Sequence, residues 1–291
     1  MMEKYENYYV PEQSHWPIVG AVAMFLIAAG AGLTVMQLSS DASSGQYVLY
    51  AGLGILFYML YGWIKNVIHE SQTGLYSKQM DRSFRQGMSW FIFSEVMFFC
   101  AFFGALFYAR VLSVPWLGGE GNNAMTNEVL WPAFEAVWPL LSTPAGETTQ
   151  AMGWEGLPLI NTLILLSSSV TIHFAHVAIE KDQRAKVKLF LGSTVVLGSI
   201  FLALQVLEYV HAYQDLDLTL QAGIYGNTFF MLTGFHGMHV TLGTVLLLIV
   251  LIRIFKGHLD SKQHFAFQAA AWYWHFVDVV WLCLFVFVYV L

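Results

Sequence analysis

Charge is what this sequence has least of. Asp, Glu, Lys and Arg make up 11% of its 291 residues, about half the share expected of a soluble domain. Only two cysteines occur, Cys100 and Cys283. Both fall inside long apolar blocks, which excludes a disulfide framework. Short alternating segments of the kind that build a transmembrane barrel are missing. So are the nucleophile elbow, the phosphate-binding glycine loop, HExxH and CxxCH. The N-terminal stretch MMEKYENYYVPEQSHWP has no basic region leading into an apolar run, so no cleaved signal peptide is expected.

What the chain has instead is hydrophobic length. Residues of that class reach 57%, in blocks too long for buried strands. Such blocks predict an all-α integral membrane protein. Seven helices are expected, near 17–38, 47–68, 87–111, 157–180, 188–212, 224–252 and 267–290. AAGAGL in the first allows close backbone approach, and Pro17 suits a helix start.

Seven crossings sort the charges. Lys4, Lys65, Lys78, Arg82, Arg85, Lys181, Arg184, Lys186, Lys188, Arg253, Lys256 and Lys262 fall on one side, and only Arg110 on the other. That other side carries Asp41, Glu120, Glu128, Glu135, Glu147, Glu155, Asp215 and Asp217. The positive-inside rule then places the N-terminus in the cytoplasm and the C-terminus outside. Six or eight spans would scramble this sorting. Between the third and fourth spans, residues 112–156 form a long acidic loop. Its apolar LWPAFEAVWPLL stretch predicts packing against the bundle or a neighbour.

Polar groups at membrane depth are the candidate functional residues, because each is costly there and needs a partner. Glu95 is the one acid in GMSWFIFSEVMFFCAFFGALFYA. Proton relay, hydrogen bonding between helices, and pairing with His173, His236 or His239 are all open to it. His173 and His176 lie three apart in the fourth span, as do Glu208 and His211 in the fifth. His236 and His239 occupy GFHGMH, and His275 and Asp278 occupy AAAWYWHFVDVVW. Histidines at HxxH spacing can bind metal. Here His176, His211 and His239 lie at depths that do not converge, and no metal ligand set is assigned. The residues favour interhelical polar contacts at His173, His176, Glu208, His211, His236, His239, His275 and Asp278. No catalytic residue is assigned. Trp63, Lys65 and His69, with Arg253 and Lys256, suit an anionic phospholipid head group or simple positive-inside anchoring. An independent ion or solute transporter using Glu95 and the histidines is the alternative, although no inverted repeat is evident.

Five runs carry a resemblance: GMSWFIFSEVMFF (87–99), PLINTLILLSSSVTIHFAH (158–176), LQVLEYVHA (204–212), FFMLTGFHGMHVTLGT (229–244) and FQAAAWYWHFVDVVWLCLFVFVY (267–289). In this order they resemble subunit III of the aa3-type haem–copper cytochrome c oxidases. The resemblance implies seven helices split as two plus five around a lipid-filled cleft. It divides the chain at 1–86 and 87–291. It also implies a subunit binding no haem or copper itself, beside subunit I, with subunit II in the same complex. The partner subunits would hold haem a, haem a3 and the copper centres, and cytochrome c would be the substrate of the complex. The accessory subunit would stabilise subunit I, hold structural phospholipids and support proton uptake. Glu95 matches the family's third-helix carboxylate. Trp63, Glu70 and Arg253 match positions near bound lipid, and His69 stands at a basic position beside them. Departures are Phe174–Val177 where WAHH is common, Gln268 for a glutamate, and the 112–156 loop. Seven spans rather than five favour the cytochrome c branch over the quinol oxidases. The unusual loop and bacterial-looking termini lead to the expectation of a bacterial inner membrane, with a periplasmic C-terminus.

Overall fold

A computed structural model describes residues 9–38 and 43–291. Lys4 and Asp41, both used in the charge sorting, lie outside the described residues. Among the described residues, seven helices are long and apolar enough to cross a membrane. They are α1 (Trp16–Met36), α2 (Ser44–Gln72), α3 (Lys78–Tyr108), α4 (Leu157–Glu180), α5 (Arg184–Asp215), α6 (Gly223–Phe255) and α7 (Phe265–Leu284). A π-helical turn, Phe285–Val290, continues α7. Among the described residues there is no β-strand beyond one isolated bridge, Ser142 to Thr148. Phe25 and Trp90 are each 71% exposed, which suits a surface whose solvent is lipid rather than water.

Helix α3 begins well before its apolar block. Ser77 starts it by accepting the Met80 amide on its Oγ at 3.3 Å, a short polar side chain meeting an otherwise unpaired N–H. The first turns carry Lys78, Asp81, Arg82 and Arg85. Hydropathy registers only the part of a helix that lipid covers, so this polar extension is invisible to it.

The chain divides into two compact units, Met1–Phe84 and Arg85–Leu291. In the first, α1 and α2 pack closely because glycine lets them. A Cβ built at Gly30 would sit 2.3 Å from the Leu49 amide nitrogen, and one at Gly45 would sit 2.4 Å from that of Thr34. The Gln37 side chain ties the end of α1 to the start of α2, donating to Ser44 Oγ at 2.8 Å and accepting from the Gly45 amide at 3.0 Å.

The second unit is organised around α7. Trp274 and Trp281 are fully enclosed, and each indole N–H reaches α4. Trp274 donates to Ser168 Oγ at 2.9 Å, and Trp281 to Thr162 Oγ1 at 2.9 Å. The Trp274 ring lies in a notch cut by Gly198 of α5 and Gly243 of α6, where added Cβ atoms would meet it at 2.6 Å and 2.9 Å. Large rings on one helix against small residues on two others bring the backbones together without a hydrophobic drive, which lipid does not supply.

The 112–156 segment packs on the bundle, as its apolar stretch predicts. It contains short helices at Val114–Leu117 and Ala124–Leu130, and Val114, Leu140 and Met152 are buried in the core. Its return limb is pinned to the α5–α6 connection. Thr149 Oγ1 donates to the Leu216 carbonyl at 3.1 Å, the Gln150 amide donates to the same carbonyl at 3.0 Å, and Tyr225 Oη accepts the Met152 amide at 3.2 Å.

Candidate functional site

Glu95 of α3 meets His239 of α6. The carboxylate Oε2 lies 3.0 Å from His239 Nε2, with the side chains 21% and 5% exposed respectively. The other imidazole nitrogen, Nδ1, donates to the Phe235 carbonyl one turn back at 2.7 Å. With its proton on Nδ1, a neutral imidazole has only a lone pair at Nε2. A proton must therefore lie between Nε2 and Oε2, so either a neutral glutamic acid donates or an imidazolium does. Both arrangements leave the pair without net charge, which is the condition for keeping it in lipid. Aromatic rings enclose it: Phe99 and Phe98 stand 4.9 Å and 5.8 Å from the imidazole, and Tyr273 stacks at 6.4 Å. Ser94 approaches Glu95 Oε1 at 3.2 Å but donates its single proton more closely to the Phe91 carbonyl, at 2.6 Å.

Of the three histidines open to Glu95, the fold selects His239. His236, one turn earlier, points to α7, where its Nε2–H donates to the Val277 carbonyl at 3.2 Å between the rings of Trp281 and Phe201. His173 is exposed on α4 with its ring against Phe174 of the same helix, so the structure does not place it in an interhelical polar contact. His211 departs from that expectation too. It pairs within α5, with Nδ1 2.6 Å from Asp215 Oδ2, and both side chains are exposed. The i,i+4 partner is within reach of a rotamer change, whereas a neighbouring helix is not.

Glu208 turns the opposite way from His211. It is fully buried and accepts the Tyr289 hydroxyl at 2.5 Å. Asp278 is buried and accepts the Ser169 hydroxyl of α4. Ser169 also lies 3.2 Å from His275 Nδ1, and that imidazole is 3.8 Å from Asp278. His275 itself is 46% exposed, so this cluster fastens α4 to α7 with one edge open.

His176 finds partners that the spacing of the sequence did not suggest. At the end of α4 it lies beside His264 and Gln268 at the entry of α7, with ring centroids of the two histidines 6.0 Å apart. Neither His264 nor the Gln268 amide belongs to a local motif with His176, and only the meeting of helix ends reveals them.

At the proposed lipid positions the first unit has Trp63 half exposed and Glu70 accepting the Tyr76 hydroxyl at 2.9 Å. His69 stands in the last turn of α2. In the second unit Arg253 is buried in the last turn of α6. A shallow apolar surface lies along α5, formed by Leu189, Gly192 and Val196 with Leu251 of α6 beside it, and Lys188 borders it.

The five-run resemblance extends to the whole chain. A family model described as cytochrome c oxidase subunit III matches residues 6–291. The chain belongs to this family. Proteins named cytochrome c oxidase subunit 3 from Squalus acanthias and Latimeria chalumnae are each 37% identical to it over 290 residues, covering 99% of this chain and 98% of theirs. That from Struthio camelus is 36% identical with the same coverage. Membership makes the chain a non-catalytic subunit of a multi-subunit respiratory oxidase. The same relatives overturn the expected bacterial inner membrane. They are animal proteins and indicate the mitochondrial inner membrane instead. Charge sorting reads the sidedness of a bundle, not which membrane holds it, and loop and terminal composition carried too little to decide.

Proposed function

We propose that this chain is the accessory subunit that packs against oxidase subunit I, in a complex that also contains subunit II and takes electrons from cytochrome c. In this reading it stabilises subunit I, holds structural phospholipids and supports proton uptake during oxygen reduction. Haem a, haem a3 and the copper centres belong to the partner subunits.

The observation that carries the reading is how the intramembrane polar groups end. Glu95 and His239 close on each other, and His239 Nδ1 ends on the Phe235 carbonyl. His236 ends on the Val277 carbonyl, and Glu208 on Tyr289. A transporter instead needs polar groups aligned along a path and free to exchange partners. Groups that terminate on backbone and on one another suit a bundle whose role is to be a stable neighbour.

Phospholipid would be held by Trp63, His69 and Glu70 in the first unit and by Arg253 in the second. The shallow apolar surface of α5 beside Lys188 is a combination that suits an acyl chain below an anionic head group. Assembled oxidase carrying Arg253→Ala or Lys188→Ala should retain phospholipid about fivefold more weakly, matching the ~1 kcal/mol a basic residue contributes near an anionic lipid surface. It should also inactivate after fewer turnovers. Unchanged lipid content together with unchanged lifetime would overturn the lipid role. Haem remaining on the isolated, folded chain would overturn the accessory assignment.

A further inference from the structure

We infer that His176, Glu180 and His264 form a divalent transition-metal site, with Zn²⁺ the fitting ion, joining the end of α4 to the start of α7. Their candidate ligand atoms all lie within 4.8 Å of one another, and His176 Nε2 is 3.7 Å from Glu180 Oε1. Ligands around tetrahedral zinc stand about 3.3 Å apart, given bonds near 2.0–2.1 Å. Reaching that spacing takes small side-chain rotations around the cluster, and Glu180, 57% exposed, has room to turn.

Two further observations point to a ligand rather than to a chance cluster. The first is the tautomer of His264. Its Nδ1 lies 3.1 Å from the Asp260 carbonyl, to which it donates. Nε2 then carries the lone pair, which accepts the Gln268 amide N–H at 3.1 Å; an imidazole anchored through Nδ1 to a backbone carbonyl is the arrangement usual for a metal-bound histidine. The second is Gln268. Its amide nitrogen stands 3.1 Å from His264 Nε2 and 3.5 Å from His176 Nε2, while its buried Oε1 has no hydrogen-bond partner. With an ion on the two Nε2 atoms, turning the amide over would present Oε1 to the same centre as a fourth donor, an oxygen.

Two imidazoles and one carboxylate, with water or an amide oxygen in the fourth position, form a set that zinc accepts. Soft copper(I) sites call for thiolate or thioether ligands, and neither cysteine lies here. Partial exposure of His176 leaves an entry path from the aqueous side. Lys181 and Lys262 border the cluster in sequence, but Asp182 and Asp260 stand beside them and Glu180 supplies a ligand charge, so the field does not bar a cation. A bound ion would clamp two helix ends that belong to the same compact unit.

The test uses the full-length chain in detergent, stripped with chelator and titrated with Zn²⁺ alone against a chromophoric competitor. One zinc per chain is expected. His176→Ala and His264→Ala should each weaken it at least ~10-fold, the low end of what ligand-shell changes cost. Gln268→Glu, which places a carboxylate between the two imidazoles, should tighten it. His211→Ala, which alters the exposed pair with Asp215, should leave it unchanged. Zinc should also raise the thermal midpoint of the wild type and not of His264→Ala, because an ion bound only by the folded state stabilises it. The inference is overturned if the wild type binds no more zinc than His264→Ala, if Gln268→Glu has no effect, or if His211→Ala abolishes binding. Gln268→Glu keeps the test decisive even where a histidine variant fails to fold.

Discussion

His239 Nε2 and Glu95 Oε2, 144 residues apart in the chain, stand 3.0 Å apart across α3 and α6 with one proton between them. The Phe235 carbonyl holds the second imidazole nitrogen, so the pair is a neutral, two-ended link between helices. Substitutions should reveal it as such. Glu95→Gln keeps a donor opposite Nε2 and should change stability little. Glu95→Ala should cost about 1–2 kcal/mol, the upper range for interhelical hydrogen bonds in membranes. Thermal denaturation in detergent, with the Glu95→Ala/His239→Ala double variant closing the cycle, measures the coupling. Equal losses from Gln and Ala would contradict the shared proton.

The Trp274 notch should be intolerant of even one methyl group. Gly198→Ala places a Cβ 2.6 Å from the ring and 2.9 Å from Thr244 Oγ1, and Gly243→Ala one at 2.9 Å from the ring. Overpacking of this kind costs about 1–3 kcal/mol. Gly192→Ala, with nothing within 4 Å of its Cβ, should be up to about 1 kcal/mol more stable than wild type, the helix-propensity gain of Ala over Gly. Comparing the three midpoints separates steric contact from helix propensity, which acts on all of them alike.

Glu208 and Tyr289 form a buried pair whose halves should not be separable. Tyr289→Phe removes the donor at 2.5 Å and leaves a fully buried carboxyl short of a partner, a loss of about 1–3 kcal/mol. Adding Glu208→Leu should restore most of it, since removing both polar partners is far cheaper than removing one. A double variant no more stable than Tyr289→Phe would argue against the pair.

Asp260 should make the loop before α7 acid-sensitive. The Gln263 and Lys262 amides donate to its Oδ1 at 2.6 Å and 2.8 Å. The Gln263 bond is the main cause holding this carboxyl below its ordinary range. A depressed carboxyl contributes stability that is fully present above its unfolded value, about 3.9, and is lost as pH falls through the lower folded one. Asp260→Ala should therefore lower the thermal midpoint at pH 7, and the gap should close below about pH 4. A gap independent of pH would contradict the assignment.

Seven spans were legible because each helix must bury its own length in lipid, and that requirement is written in consecutive residues. The ends were less so. Helix α3 starts at Lys78 because charged helix formers extend it into water, where hydropathy has nothing to report. The packing of LWPAFEAVWPLL was legible from its apolarity. The compartment was not legible from loop and termini.

The sequence by itself determined that Glu95 needed a partner, because an unpaired carboxylate in lipid is too costly to keep. Only the tertiary structure decided which. His236 and His239 are three residues apart, and the rotation of α6 against α3 and α7 sends one to a backbone carbonyl and the other to Glu95. The same rotation of neighbouring helices turned Glu208 inward to Tyr289, left His211 to its own helix, and brought His264 to His176. Local spacing says which side chains share a face. Which face meets which is settled by how rings such as Trp274 fit the glycine notches of other helices, a relation between segments far apart in the chain.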